Sequence, residues 1–211
     1  MNNKAHIIGI CRHRLTTDGE GVTTLVAFHG CPLRCKYCLN PQSLVNPERF
    51  PSYDAISLYN ETRIDALYFI ATGGGVTFGG GEPCLHADII TQFRNLCGKE
   101  WLLSLETSLN VAPRQFALLI PFIDRFIVDI KDMNPDIYQR YTGRDNKNVI
   151  ANLQQLIDNN RQCDTIIRIP LIPKFNTPTD QEKSKTQLKA MGFKQFDIFT
   201  YTTKKAKTVE N

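Results

Sequence analysis

The sequence predicts an α/β fold, a partial (β/α)6 barrel with parallel strands, from three observations. Short apolar runs at Val22–Phe28, Val76–Phe78, Leu102–Glu106, Arg125–Ile130, Thr165–Ile172 and Gln195–Thr200 read as six strands. Helical patterns separate them, and strands alternating with helices make right-handed crossovers in a parallel sheet. Glycine and charged residues gather just past the strands, the end at which parallel α/β sheets carry their working groups. A chain of 211 residues offers six such units, too few for the eight of a closed barrel. Residues 1–211 are read as a single domain with a loose tail at 204–211.

The elements follow in order. Thr17-Asp-Gly-Glu-Gly21 is a turn sequence, and the strand after it delivers a cysteine-rich loop. Asn40-Pro41 and Asn46-Pro47 mark irregular backbone. Ser52 is the expected N-cap of a helix whose apolar side is Ile56, Tyr59, Ile64, Leu67 and Phe69. The glycine run Gly73 to Pro83 encloses the short second strand. Helices are then expected at Ala87–Cys97, around Arg114–Leu119, Asp136–Tyr141 and Val149–Asn159, and at Thr179–Met191.

Composition narrows the class. Hydrophobic content of 42% and charged content of 22% are ordinary for a soluble globular protein. The net charge of +4 owes part of its size to Lys204-Lys-Ala-Lys207, so it gives no support to nucleic acid binding. No stretch approaches the apolar length of a membrane span, and no signal-peptide run precedes Cys31, so a cytoplasmic protein away from the membrane is expected. Cys11, Cys84, Cys97 and Cys163 are scattered and read as small buried hydrophobes.

The other three cysteines form Cys31-Pro-Leu-Arg-Cys35-Lys-Tyr-Cys38, a C-x₃-C-x₂-C spacing. An odd, clustered set suits a metal site in a reducing compartment better than a disulfide framework. A structural zinc site wants four ligands, usually as two separated pairs, and no matching second pair is present. An electron-carrying [4Fe-4S] cluster takes four thiolates, so three leave one iron open for chemistry. A Cys₃ zinc knot or a set of loop thiols is the competing reading. No cysteine occurs between Leu39 and Thr72, so no second cluster is expected there.

Other candidates lie at the strand ends. Gly79-Gly-Gly-Glu82 lacks the spacing of a dinucleotide fingerprint and the lysine of a P-loop, and by itself it reads as a tight turn. Glu106-Thr107 ends the third strand. Asp129 and Lys131 alternate on the fourth, either as a solvated exit or as a polar rim for a ligand. Arg168, between Ile167 and Ile169, needs a carboxylate partner, from a ligand or from Glu106 as an internal ion pair.

With Tyr37 before the last cysteine, this stretch resembles the signature of the radical S-adenosylmethionine (radical SAM) enzymes. Thr17 to Gly21, Gly73-Gly-Gly-Val-Thr77 with Gly80-Gly-Glu-Pro83, Asp129-Ile-Lys131 with Met133, Tyr141-Thr-Gly143, and Arg168 with Ile172 to Asn176 resemble the glycyl-radical-enzyme activating enzymes in particular. The likeness runs from about Ile7 to Thr200. It implies a partial barrel and a [4Fe-4S] cluster on Cys31, Cys35 and Cys38, whose open iron chelates S-adenosylmethionine. Reductive cleavage of that cofactor then yields a 5′-deoxyadenosyl radical, which takes a hydrogen atom from a glycine in a partner enzyme. It implies cofactor contacts from Tyr37, Asn40, Gly80, Gly81, Glu82, Glu106, Thr107, Asp129, Lys131 and Arg168. The missing Cβ atoms at Gly80 and Gly81 are expected to admit the methionine end of the cofactor. Asp18 is implied as a contact to the glycyl radical enzyme, and flavodoxin or ferredoxin as the electron donor. Three departures stand out: Leu39 where the family often has histidine, Glu106 where an aspartate is familiar, and Thr200-Tyr-Thr202 in place of Pro-Tyr-His. The competing functions are a radical SAM enzyme with a small-molecule substrate, as in 7-carboxy-7-deazaguanine synthase, and a non-catalytic iron-sulfur protein.

Overall fold

All six predicted strands form and lie side by side. The computed structural model describes residues 3–15 and 19–201. β2 (Val22–Phe28), β4 (Gly75–Gly80), β5 (Leu102–Thr107), β6 (Arg125–Asp129), β7 (Thr165–Leu171) and β8 (Gln195–Thr200) pair in parallel in that order. Two antiparallel strands extend the β2 side: β1 (Ala5–Leu15) on β2, then β3 (Ser52–Tyr53) on β1. The sheet order is β3-β1-β2-β4-β5-β6-β7-β8, so β3 and β8 are edges and the barrel stays open. Nothing in the sequence reading anticipated β1. Its register shifts between Ile7 and Gly9 and between Cys11 and Arg14, and His13 sits at φ +54°. Such bulges erase the period of two by which a strand is recognised.

Alternation along the parallel strands separates two faces. Val26, Phe28, Val76, Phe78, Leu103, Leu105, Phe126 and Val128 point outward and are fully buried beneath the helices. Phe93 of α3 (Ala87–Cys97) meets Phe78 edge-on at 5.3 Å, and Phe116 of α4 (Pro113–Ala117) meets Phe126 at 5.7 Å. Leu153 and Leu156 of α6 (Lys147–Asp158) belong to the same core. Residues of the other parity, among them Ile127, Ile166 and Arg168, line the lumen. α5 (Pro135–Thr142) and α7 (Pro178–Ala190) form within a residue of the expected bounds.

The helix after the cysteine loop differs from expectation. Ser52 lies in β3, and Asp54 caps α1 (Ala55–Thr62) through a reciprocal capping box with Ser57. One 3₁₀ turn at Arg63–Asp65 then separates α1 from α2 (Ala66–Thr72). That tighter winding breaks the 3.6-residue phase and splits the predicted stripe. Leu58 and Phe69 are buried, whereas Ile56, Ile64 and Leu67 are exposed, Leu67 to 81%. The break also buries Asp65, which accepts from Arg12 Nη1 at 2.7 Å and Thr24 Oγ1 at 2.8 Å. This carboxylate pins the β1–β2 hairpin to the helical layer.

Cys84 and Cys97 are buried as expected, but Cys11 and Cys163 are exposed. Cys11 takes an outward position in the alternation of β1. Asp18 and the tail 204–211 lie outside the described residues. Glu20 pairs with Arg125 at 3.3 Å, at the start of β6. Among the described residues no helix is long and apolar enough to cross a membrane.

Removing the buried carboxylate leaves the buried Thr24 hydroxyl without its acceptor and Arg12 with Glu61 alone, so Asp65→Ala is expected to lower stability by about 2 kcal/mol in urea unfolding. Leu67→Ser, on the exposed side, should change it by less than about 0.5 kcal/mol.

Candidate functional site

The cysteine loop leaves β2 at Phe28 and is held by its backbone on three sides. Gly81 N–H donates to Phe28 O at 2.9 Å, and Glu82 N–H donates to Gly30 O at 2.7 Å. Gly30 N–H reaches Ser43 O at 3.0 Å, across the far end of the loop. Arg34 and Lys36 donate their N–H groups to Thr142 O (2.8 Å) and Tyr141 O (3.2 Å), carbonyls of the last turn of α5. A helix leaves such carbonyls without intrahelical partners, and the cysteine loop serves as the cap. Asn40 Nδ2 closes the loop onto Gly80 O at 2.9 Å.

The glycines act differently from the expectation. A Cβ on Gly81 would overlap the Gly30 carbonyl oxygen, and one on Gly80, at φ +94°, would fall 2.8 Å from Ala27 Cα. Their bareness lets β4 close on β2, a packing role beside their place on the cleft wall. Gly79 does leave room, for the Glu106 carboxylate, which would lie 3.0 Å from a Cβ there.

A cleft of about 120 Å³ opens at the C-terminal ends of the strands. Cys31, Cys35, Cys38, Asn40, Gly80, Gly81, Glu106, Thr107, Asp129 and Lys131, all predicted site residues, line it. Tyr37, Glu82 and Arg168 are not on its wall. Tyr37 packs edge-on to Phe175, with ring centroids 5.7 Å apart. Glu82 is fully buried and accepts from Thr107 Oγ1 (2.7 Å), Ser108 Oγ (2.6 Å), Ser108 N–H (3.0 Å) and Cys84 N–H (3.3 Å). It is a strut between the ends of β4 and β5. Arg168 turns into the lumen, 2.7 Å from Glu106 Oε1 and 3.4 Å from Asp197 Oδ2. The internal ion pair is therefore formed. Ser43, Ser108 and Tyr201 also line the cleft, as do Leu33 and Leu39, and the sequence reading missed them. For Ser108 the signal was available, since it directly follows Glu106-Thr107.

The electrostatics are unusual for buried groups. Burial pushes the Cys31 thiol up to about 12, and the nearby Glu82 charge adds to the effect. Cys35 is raised by burial too, with Lys131 opposing the shift. Burial is the strongest single influence on the Lys131 ammonium and opposes it, but Asp129 at 3.2 Å, with Cys35, Tyr201 and Tyr141 adding to it, holds the lysine well above its usual range. Lys131 is therefore a fixed cation on the cleft wall, beside Cys35.

The radical SAM superfamily model matches residues 25–179, from the strand before the cysteines to the start of α7. The chain belongs to the radical SAM superfamily. A (2S)-3-sulfopropanediol dehydratase activating enzyme of Klebsiella oxytoca is 30% identical over 221 residues, covering 75% of this chain and 69% of that one. A pyruvate formate-lyase-activating enzyme of Listeria monocytogenes is 30% identical over 203 residues, covering 89% and 78%. Among solved structures, Streptococcus suis SuiB bound to S-adenosylmethionine has a TM-score of 0.64 at 15% identity, over 84% of this chain and 40% of that one. At that identity SuiB shares the fold.

Radical SAM enzymes use a [4Fe-4S] cluster and S-adenosylmethionine, and the residues present fit both. Cys31, Cys35 and Cys38 open together onto the cleft, three thiol donors of the kind that hold an iron-sulfur cluster. The cleft beside them carries a cation and carboxylates, the polar groups that would orient a zwitterionic cofactor.

Each of Cys31→Ala, Cys35→Ala and Cys38→Ala should lose the bound iron after anaerobic reconstitution, while Cys97→Ala keeps it by iron and sulfide assay. Gly81→Ala is expected to lose folded protein as well as iron, because its Cβ meets backbone that cannot move aside. Glu82→Ala should lower stability by about 3 kcal/mol in chemical unfolding, through the donors it leaves unpaired.

Proposed function

We propose that this chain is an activating enzyme that generates a glycyl radical on a partner enzyme, and that it works in the cytosol. The observation that carries this reading is the set of groups from successive strand ends, the three cysteines first, that open onto one cleft. Supporting it is 30% identity to activating enzymes, in one case over 89% of this chain. Cys31, Cys35 and Cys38 would hold the cluster. When bound, cluster and cofactor supply one-electron cleavage of a sulfonium, and the resulting carbon radical takes a hydrogen atom from the glycine Cα.

This chain's residues bind, orient and shield. Lys131 places an ammonium, and Asp129 a carboxylate, on the wall facing the cysteine loop, a pair suited to an amino-acid zwitterion and ribose hydroxyls. Thr107 and Ser108 add hydroxyls, although Glu82 already receives their protons, so they are left to accept. Glu106 is neutralised by Arg168, which keeps a second bare carboxylate from the cleft. Tyr201 supplies an aromatic wall at the end of β8. Arg168 is thus a positioning residue for Glu106, and Tyr37 and Glu82 are supports of the loop ends. Asp18 keeps the role of a partner contact in this proposal. The single electron per turnover would come from a flavodoxin or ferredoxin.

The test is anaerobic: the reconstituted, chemically reduced protein is mixed with S-adenosylmethionine and a glycyl radical enzyme encoded beside it. Electron paramagnetic resonance should show the doublet of a glycyl radical, lost with Cys35→Ala. Cofactor cleavage without a protein radical would contradict the protein-substrate reading. No cleavage from a loaded, reduced cluster would contradict the activase reading altogether.

A further inference from the structure

The outer side of the cysteine loop is a basic face that the site chemistry does not use. Arg34 and Lys36 alternate with the cysteines, are exposed, and do not line the cleft. The loop sits on the end of α5, which brings up Arg140 and Arg144. Tyr37 packs on Phe175, which brings up the neighbouring Lys174. All five side chains are exposed, and among the described residues none forms a salt bridge. The segments 31–38, 139–144 and 173–176 contain no carboxylate. Asp145 borders the patch beside Arg144, and Asp180 interacts with Arg140, so the uncompensated charge centres on Arg34, Lys36 and Lys174.

Part of this charge has a local role. Arg34 Nη1 donates to Cys31 O and Leu33 O, both at 2.8 Å, Arg144 Nε to Pro32 O at 3.2 Å, and Arg140 Nη2 to Phe175 O at 3.0 Å. The arginines clip the loop, and Arg140 also complements the dipole of α5. Neither account covers Lys36 and Lys174. Lys174 is held at φ +70°, a conformation that glycine adopts more readily, and it presents an ammonium to solvent there.

We propose that this face, centred on Lys36 and Lys174, docks an acidic one-electron carrier protein against the outside of the cysteine loop. The inference rests on the activase reading, which requires an external electron. Transfer moves one electron from the reduced carrier to the metal centre on Cys31, Cys35 and Cys38, with no proton or group exchanged. The face lies directly on the backbone that carries these three ligands, so docking there keeps the electron path short. It also leaves the cleft free for cofactor and protein substrate. A net excess of like-signed charge attracts an acidic partner and speeds its encounter, and salt screens the effect.

The test uses the reconstituted holoprotein and an acidic flavodoxin as probe, with binding measured by biolayer interferometry between about 20 and 200 mM salt. The parent is expected to bind at low salt and to weaken about tenfold or more across that range. Lys36→Glu/Lys174→Glu should weaken low-salt binding by about tenfold or more, whereas Lys36→Arg/Lys174→Arg keeps it. Iron content, circular dichroism and cluster reduction by photoreduced deazaflavin should match the parent in both variants. Parent-like binding by the Glu variant overturns the proposal, as does absence of salt-dependent binding by the parent. Loss of affinity for the glycyl radical enzyme with flavodoxin binding intact overturns it too and makes the face a substrate surface. Failure of deazaflavin-reduced parent to cleave S-adenosylmethionine is a separate result that counts against the activase reading.

Discussion

The ends of β2 and β4 touch backbone to backbone, and the site hangs on that contact. Gly81 and Glu82 donate to Phe28 O and Gly30 O, an approach that a side chain on Gly81 would forbid. Cys31 follows Gly30 directly, so this contact fixes where the cysteine loop begins. Glu82 is then carried inward to bind Thr107 and Ser108, which locks the end of β5 to the same point. Successive strands share one edge for that reason, and the cleft at that edge inherits their alignment. The cap that the loop makes on α5 fixes its other side.

Charge within the barrel is arranged in pairs. Arg168 answers Glu106 and Asp197, and Lys131 answers Asp129. An unpaired charge at this depth would be strongly destabilising, whereas a paired one is tolerated and oriented. The Glu106–Arg168 pair lies where cleft meets lumen, which leaves Lys131 as the buried cation of the cleft wall beside Cys35. A buried cation beside metal-binding thiols favours added negative charge on the centre they hold.

Much of this was legible in the sequence because parallel sheets obey simple rules. The strands Leu102–Thr107 and Arg125–Asp129 are largely apolar runs with polar exits, and those exits line the cleft. β1 escaped notice because its bulges and its Arg12, His13 and Arg14 break the alternation. The exposed face of α2 was misassigned because a single 3₁₀ turn shifts the phase of everything after it, which no apolar count reveals. In the site, residues that act where the strand puts them, such as Asp129 and Lys131, were found. Glu82 was assigned to the cofactor although it faces Thr107 and Ser108, partners a whole β/α unit away. Ser43 and Tyr201 were missed because loop closure, through Gly30 N–H to Ser43 O and Tyr201 N–H to Leu171 O, brings them to the cleft.

The central claim is that three cysteines leave one metal corner open to the cleft. Mössbauer spectroscopy of ⁵⁷Fe-reconstituted protein, with and without S-adenosylmethionine, tests it most directly. One iron of four should change its isomer shift when S-adenosylmethionine binds, the other three staying as they were. Four irons unmoved by S-adenosylmethionine, or stoichiometric zinc with no cluster, would contradict it.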